Sequence, residues 1–253
     1  MTRDFDVVIA GGGLVGSALA LMLVDWTRLV PARIAVIEPD PCSPPPAGSP
    51  IGLRVSNISP VNRERLEQLG AWQRMDALRT ASVQAMAIWH EDVPPDSPDT
   101  LRFDAAEHHA RELGVIVENR ALQAALLAAC RDAGITVIED RLAAASVGGD
   151  GGRLSLASGA TLRAELLVGA DGAASKVREL LGLPAGMRDY GQRAIVGVID
   201  VERPHRGTAF QRFLSTGPLA LLPLPGRQCS IVWSATDELA GQRMDHVRGI
   251  THQ

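Results

Sequence analysis

The chain has 253 residues, 46% hydrophobic and 21% charged, enough to bury a core in one large domain or two small ones. Its 25 basic and 29 acidic residues leave a formal net charge of −4, which removes the electrostatic case for a nucleic-acid binder. Three scattered cysteines, Cys42, Cys130 and Cys229, exclude a disulfide framework and a C-x-x-C metal site, and they fit a reducing cytoplasm. Asp4 and Asp6 stand where a signal peptide would carry positive charge, and no apolar run reaches the ~18 residues of a membrane span, so a soluble protein is expected.

Phe5 to Ala10 reads as a short buried strand with the β-branched run Val7-Val8-Ile9. Gly11, Gly13 and Gly16 follow in G-x-G-x-x-G spacing, and from Leu14 the apolar residues Leu14, Ala18, Leu21 and Met22 repeat at helical period. Gly11 permits the tight turn, Gly13 lets a pyrophosphate approach the backbone, and Gly16 lets helix and strand pack closely. Phosphates would then sit at the helix N-terminus, where unpaired N–H groups and the macrodipole favour negative charge. A second strand, Ile34 to Ile37, ends in Glu38, at about the ~20-residue spacing expected of an acid that bonds ribose hydroxyls. The competing reading is an α/β turn with a solvent-facing Glu38.

Residues 39–50, PDPCSPPPAGSP, suit a surface loop better than a domain linker, because only about 40 residues precede them. Ser59-Pro60 marks a helix through Leu69 that Gly70 stops, and 82–91 alternates as one strand. Asn119 caps a helix from Arg120 to about Ala133, with Leu122, Leu126, Leu127 and Cys130 on one face and Gly134 past its end. A strand follows at 135–139, then β-hairpins between Leu142 and Leu162 in which Gly149-Asp150 is only a turn. Next comes Gly169-Ala-Asp171-Gly172-Ala-Ala-Ser175-Lys176-Val177-Arg178, a strand ending at an aspartate, then a glycine, then a helix from about Ala174 to Leu181. It repeats the phosphate-facing logic of the first motif, although Asp171 could simply cap its helix. After Pro184 the chain turns to alternating β segments at 193–202, 208–214, 218–224 and 228–235.

On these residues the sequence resembles the single-component FAD-dependent aromatic hydroxylases, which share a p-hydroxybenzoate-hydroxylase-like fold. The carriers are Gly11-x-Gly13-x-x-Gly16 with Glu38 and the Asp171-Gly172 segment. Arg54-Val-Ser56-Asn-Ile-Ser59-Pro, Ile116-Val-Glu-Asn119-Arg120 and the 210–224 stretch are similar to the ubiquinone-biosynthesis hydroxylase subgroup. The resemblance covers residues 5 to about 236. It implies an α/β fold: a discontinuous Rossmann-like FAD-binding domain over 1–184, carrying inserted β segments, and the beginning of a β-sheet substrate domain over 185–253.

It also implies that Gly11, Gly13, Leu14, Val15, Gly16 and Glu38 bind the ADP half of FAD. Arg54 would reach the cofactor phosphate or ribitol, Arg120 the adenosine half, and Asp171 and Gly172 would serve FAD and, transiently, NAD(P)H. For both arginines a surface ion pair is the plain alternative. In this family NAD(P)H reduces the flavin, O2 adds to give a C4a-hydroperoxide, and its distal oxygen attacks an electron-rich ring. The cofactor carries the hard step, so no catalytic side chain is assigned; the scattered histidines suggest no metal. The resemblance further implies a phenolic, polyprenylated substrate, no nucleic acid, and a cytoplasmic enzyme in peripheral contact with the inner membrane or with a ubiquinone-biosynthesis complex. Other flavoproteins on the same scaffold, a prenyl-chain reductase or a halogenase, are alternatives; the halogenase fits poorly, since Lys176 is the lysine near these motifs.

The sequence departs from the family in one place. Nothing after residue 184 matches its third motif, Gly-Asp-Ala-Ala-His followed by a proline and Gly-Gln-Gly, and 241–253 is polar without β alternation. The expectation is a C-terminally truncated chain, with part of the fold missing, that keeps the ADP-binding half and is poorly active or inactive, which leaves a non-catalytic nucleotide-binding fragment as a further alternative.

Overall fold

A computed structural model describes residues 2–27, 29–149 and 151–242. The stretch 243–253 and Asp150, both singled out in the sequence, lie outside the described residues. The chain forms two units that interleave: unit one is Met1–Gly48, Glu64–Met75 and Asn119–Gly186, and unit two is Ser49–Arg63, Asp76–Glu118 and Met187 onward. In contrast to a division into 1–184 and 185–253, residues 49–63 and 76–118 cluster with the chain after Met187. Residues 39–50 hold no helix or strand and are exposed or half-buried, as a surface loop requires, and the boundary between the units falls at Gly48/Ser49 within this stretch.

Unit one holds one six-stranded sheet. At its centre β1 (Thr2–Ala10) runs parallel to β2 (Ile34–Ile37) on one side and to β11 (Thr161–Gly169) on the other. Beyond β2 lies the parallel β8 (Thr136–Ile138), and beyond β11 the antiparallel β10 (Gly151–Leu156) and β9 (Leu142–Gly148). Val7 to Ala10 and the whole of β2 are buried, as their β-branched runs require in a parallel sheet covered on both faces. Phe5, Val8, Ala35 and Ile37 share a core with Leu154, Leu156 and Leu162 from the hairpin strands. Each such large side chain contributes roughly 1.5–3 kcal/mol by leaving water.

Helix α1 (Leu14–Trp26) follows β1 and packs on α3 (Asn119–Asp132) through small residues. Gly16, Ser17 and Ala20 are buried there, and the Cys130 thiol donates to the Ser17 carbonyl at 3.4 Å. Leu122, Leu126, Leu127 and Cys130 form the buried face expected of α3. The end of α3 also matches: Gly134 has φ of +82°, and the Ile135 N–H returns to the Cys130 carbonyl. The start differs. Asn119 is the first residue inside the helix, and its buried Oδ1 accepts no hydrogen bond, so it caps nothing with its side chain. Helix α4 (Lys176–Leu180) is shorter than 174–181 because Ser175, whose Oγ accepts from the Arg178 N–H, is its cap.

Unit two contains a three-stranded antiparallel sheet of β3 (Val55–Ile58), β7 (Gly114–Glu118) and β4 (Thr80–Val83), with β7 in the middle. A second sheet runs in the order β12 (Gln192–Asp200), β15 (Gln228–Thr236), β14 (Gly217–Pro223), β13 (Thr208–Leu214), β5 (Ala85–His90), β6 (Leu101–Asp104). It is antiparallel except at β5–β13. Helix α2 (Pro60–Gln68) starts in this unit at the expected Ser59-Pro60 signal. The single strand read over 82–91 is two strands in two sheets: β4 and β5 part at Gln84, where the Gly207 carbonyl accepts from both the Gln84 and the Ala85 N–H. Alternation continues through Gln84, so the sequence shows no break there.

Candidate functional site

The three motif glycines serve different needs. Gly11 has φ of +106°, and a Cβ there would strike the Ala170 carbonyl at the end of β11. At Gly16 a Cβ would collide with the Gly11 carbonyl oxygen, so the tight contact is between helix and loop. Gly13 is the opposite case: nothing lies within 4 Å of its Cβ position. It is also the N-cap of α1, with extended backbone, no side-chain cap and no acid in the first turn. The N–H groups of Leu14, Val15 and Gly16 thus begin a 13-residue helix with no side chain spent on them, the arrangement that favours an anion.

Glu38, just past β2, is tethered to this loop. Its Oε2 accepts from the Gly12 N–H at 2.8 Å and its Oε1 from the Asp40 N–H at 3.0 Å. A carboxylate has about four lone-pair sites, which leaves capacity for ligand hydroxyls. Gly12 was given no role by the motif. A Cβ there would lie 2.7 Å from Glu38 Cβ, so the middle glycine of the row is what admits the acid.

Asp171 lies across the sheet, after β11, whose ladder continues through the Ala170 N–H to the Ala10 carbonyl. Its carboxylate turns to its own helix: Oδ1 accepts from Ser175 Oγ at 2.6 Å and Oδ2 from the Val177 N–H at 3.0 Å. Burial pushes this carboxyl up, and the hydrogen bonds from Ser175 and Val177 outweigh it, holding its pKa below the ordinary value. The capping role is therefore real, though shared with Ser175. Gly172, at φ of +82°, keeps open space beside it.

A cavity of about 590 Å³ opens at the carboxyl ends of these strands, within the ~300–1,000 Å³ range of ligand pockets. The chain leaves β1 toward β2 on one side while β11 joins on the other, so the cavity marks the switch point of the sheet, where ligands of α/β folds bind. Gly11, Gly13, Glu38, Asp171 and Gly172 meet there. So do Asp140, Arg141 and Leu142 after β8, and Lys176, none of which the sequence had singled out for this site. Their only advance signal was the strand end before them. Arg120 and Arg54 are not among the lining residues. Arg120 is exposed and its Nε donates to the Ser43 carbonyl at 3.4 Å. Arg54 belongs to unit two, is exposed, and makes no hydrogen bond or ion pair among the described residues. Among the described residues neither arginine forms the surface ion pair that was its alternative.

No group of three or more His, Cys, Asp or Glu is placed to hold a metal among the described residues. Burial pushes the Cys130 thiol up to about 12, which makes it inert. Among the described residues no helix is long and apolar enough to cross a membrane.

A family model described as an FAD binding domain matches residues 4–238. The ubiquinone hydroxylase UbiL of Rhodospirillum rubrum is 37% identical over 236 residues, covering 92% of this chain and 52% of that protein. The 3-demethoxyubiquinol 3-hydroxylase of Escherichia coli is 34% identical over 90% of this chain and 56% of its own length. The human mitochondrial ubiquinone biosynthesis monooxygenase COQ6 is 32% identical over 94% and 52%. The chain thus spans about half the length of the curated relatives it matches. Among solved structures, Pseudomonas aeruginosa PqsL superposes with a TM-score of 0.72 at 21% identity, covering 96% of this chain and 63% of that one. At that identity the likeness is one of fold.

Proposed function

This chain belongs to the FAD-binding domain family, and from that premise we propose that its cavity holds the ADP half of FAD in a monooxygenase that hydroxylates a phenolic ring. The observation that carries this reading is the open Gly13 at the uncapped start of α1, facing the same cavity as Glu38. The N–H groups of Leu14, Val15 and Gly16, in the uncapped first turn of α1, would hold the pyrophosphate. Glu38, already aligned by the Gly12 N–H, accepts from the ribose hydroxyls. Gly172 leaves room for the chain of the cofactor beside Asp171. Arg54 and Arg120 complete the set as cations for the anionic cofactor, an assignment that rests on family resemblance.

Bound FAD supplies the redox chemistry, with NAD(P)H as reductant and O2 as oxidant. The names of the relatives support a ubiquinone-precursor phenol as substrate, and a polyprenylated one would bring the protein to a membrane surface or a biosynthetic complex. This chain's own residues then bind and orient the cofactor.

The test is a visible spectrum with an FAD titration. The protein takes up FAD with flavin absorption, and Glu38→Ala weakens binding by roughly 1–3 kcal/mol, the cost of a charged hydrogen bond and its stranded partner. A colourless protein that gains no chromophore with FAD overturns the reading, and unchanged affinity in the variant overturns the role of Glu38.

A further inference from the structure

Both backbone polar groups of Gly12 are engaged within unit one. Its N–H donates to Glu38 Oε2 at 2.8 Å, and its carbonyl accepts twice, from Ser17 Oγ at 3.0 Å and from Gln123 Nε2 at 3.2 Å. The Gly11 N–H is fixed as well, on the Ile37 carbonyl at 2.8 Å. Gly13 differs. Its carbonyl accepts from the Ser17 N–H at 3.1 Å, but its own N–H donates to no group among the described residues, although Gly13 lines the cavity.

The bonds to Gly12 bear on Gly13 because one planar, trans peptide joins them, with its C=O and N–H pointing in opposite directions. With the carbonyl held by Ser17 and Gln123, the Gly13 N–H is turned away from both. Ser17 is a local partner, buried on α1 directly after Gly16. Gln123 is not: it lies 111 residues from Gly12, half-buried on α3 between the buried Leu122 and Ala124. An amide at such a place costs free energy unless it is hydrogen-bonded, and the Gly12 carbonyl, which can only accept, is the partner it has. Glycines in a row are the most permissive backbone, so ordering them for an anion is costly without a brace from outside the loop.

We propose that Gln123 is a positioning residue: from α3 it clamps the Gly12 carbonyl and so aims the Gly13 N–H at the diphosphate of a bound dinucleotide. It rests on the reading that the start of α1 takes the pyrophosphate of FAD. Gln123 is not among the residues lining the cavity and acts through Gly12, with Ser17 as the second arm of the clamp.

The experiment measures FAD dissociation constants for this chain and for Gln123→Met, each with and without Gly13→Asp, which puts a carboxylate where the phosphate would lie. Methionine keeps the length of the side chain and removes its donor, so Gln123→Met weakens FAD by about fivefold in the parent, the size of one hydrogen bond. In the Gly13→Asp background it weakens FAD by less than about twofold, because no phosphate is left at the N–H that it aims. Should Gln123→Met fail to fold, Ser17→Ala replaces it, since it removes the other donor with little change of volume. If the clamp variant costs the same fold-loss in both backgrounds, its effect does not pass through the anion site and the proposal is overturned. A clamp variant that melts lower yet binds FAD as tightly as the parent overturns it too, and leaves a structural hydrogen bond. A Gly13→Asp protein with unchanged affinity, or a parent chain that takes up no FAD, overturns the underlying reading and the proposal with it.

Discussion

Unit one contains the same sequence device twice, strand to glycine to helix, and the two copies end in opposite states. After β1 the helix is 13 residues long, its cap is a bare glycine, and no side chain of the protein's own caps its first turn. After β11 the helix has five residues, and Ser175 and Asp171 already take its Arg178 and Val177 N–H groups. The first end is therefore available to an anion from outside, and the second is closed by an anion from within. A shared motif logic says where a ligand's phosphate could lie; the local capping residues decide which end is free.

The contrast can be broken most severely at Gly16. Gly16→Val drives a branched side chain into the Gly11 carbonyl, so a loss of about 3 kcal/mol or more in thermal unfolding is expected, together with loss of FAD uptake. Gly13→Asp sharpens it instead. Asp is a good N-cap and meets no neighbour there, so stability changes by only about 0.5 kcal/mol, while FAD affinity drops by roughly tenfold or more as the carboxylate displaces the phosphate. A protein of unchanged affinity would mean that the end of α1 is not the phosphate site. Ser175→Ala is the reverse: about 1 kcal/mol of stability goes with the cap of α4, and FAD binding stays within about twofold.

The smallest effect is in acid. Asp171 has a folded pKa below its unfolded value of about 3.9, so its contribution is present above that value and is lost as pH falls through the depressed one. Asp171→Asn is accordingly less stable than the parent at about pH 7, and the difference in melting temperature narrows toward about pH 3. A constant difference would show that the charge of Asp171 contributes nothing.

What could be read along the chain was local. Glycine spacing, the β-branched runs of β1 and β2, the apolar face of α3 and the glycines of the 142–162 hairpins each express a preference that neighbouring residues alone decide. Gly134 ends α3 for the same reason. What escaped was set by partners far away. Gln84 breaks a strand because the Gly207 carbonyl meets it there, and Gly12 matters because Glu38 folds back onto it. Asp140 to Leu142 joined the cavity through the position of β8 in the sheet. The interleaving of the two units was hidden likewise, since no composition change marks 63/64, 75/76 or 118/119. Of the expected site, Gly11, Gly13, Glu38, Asp171 and Gly172 line one cavity, whereas Leu14, Val15 and Gly16 of α1 and the exposed Arg54 and Arg120 are not among its lining residues.

The split at Gln84 has a consequence in time. During synthesis β5 and β6 emerge early as a hairpin, but the parallel neighbour of β5 does not exist until the ribosome has passed Thr208. Until then one edge of β5 carries unpaired backbone groups and waits on a distant contact, the kind of pairing that is slow to form. A newly made chain therefore passes through a window in which β5 is open to other strands, its own or another molecule's, and that window closes only when β13 arrives.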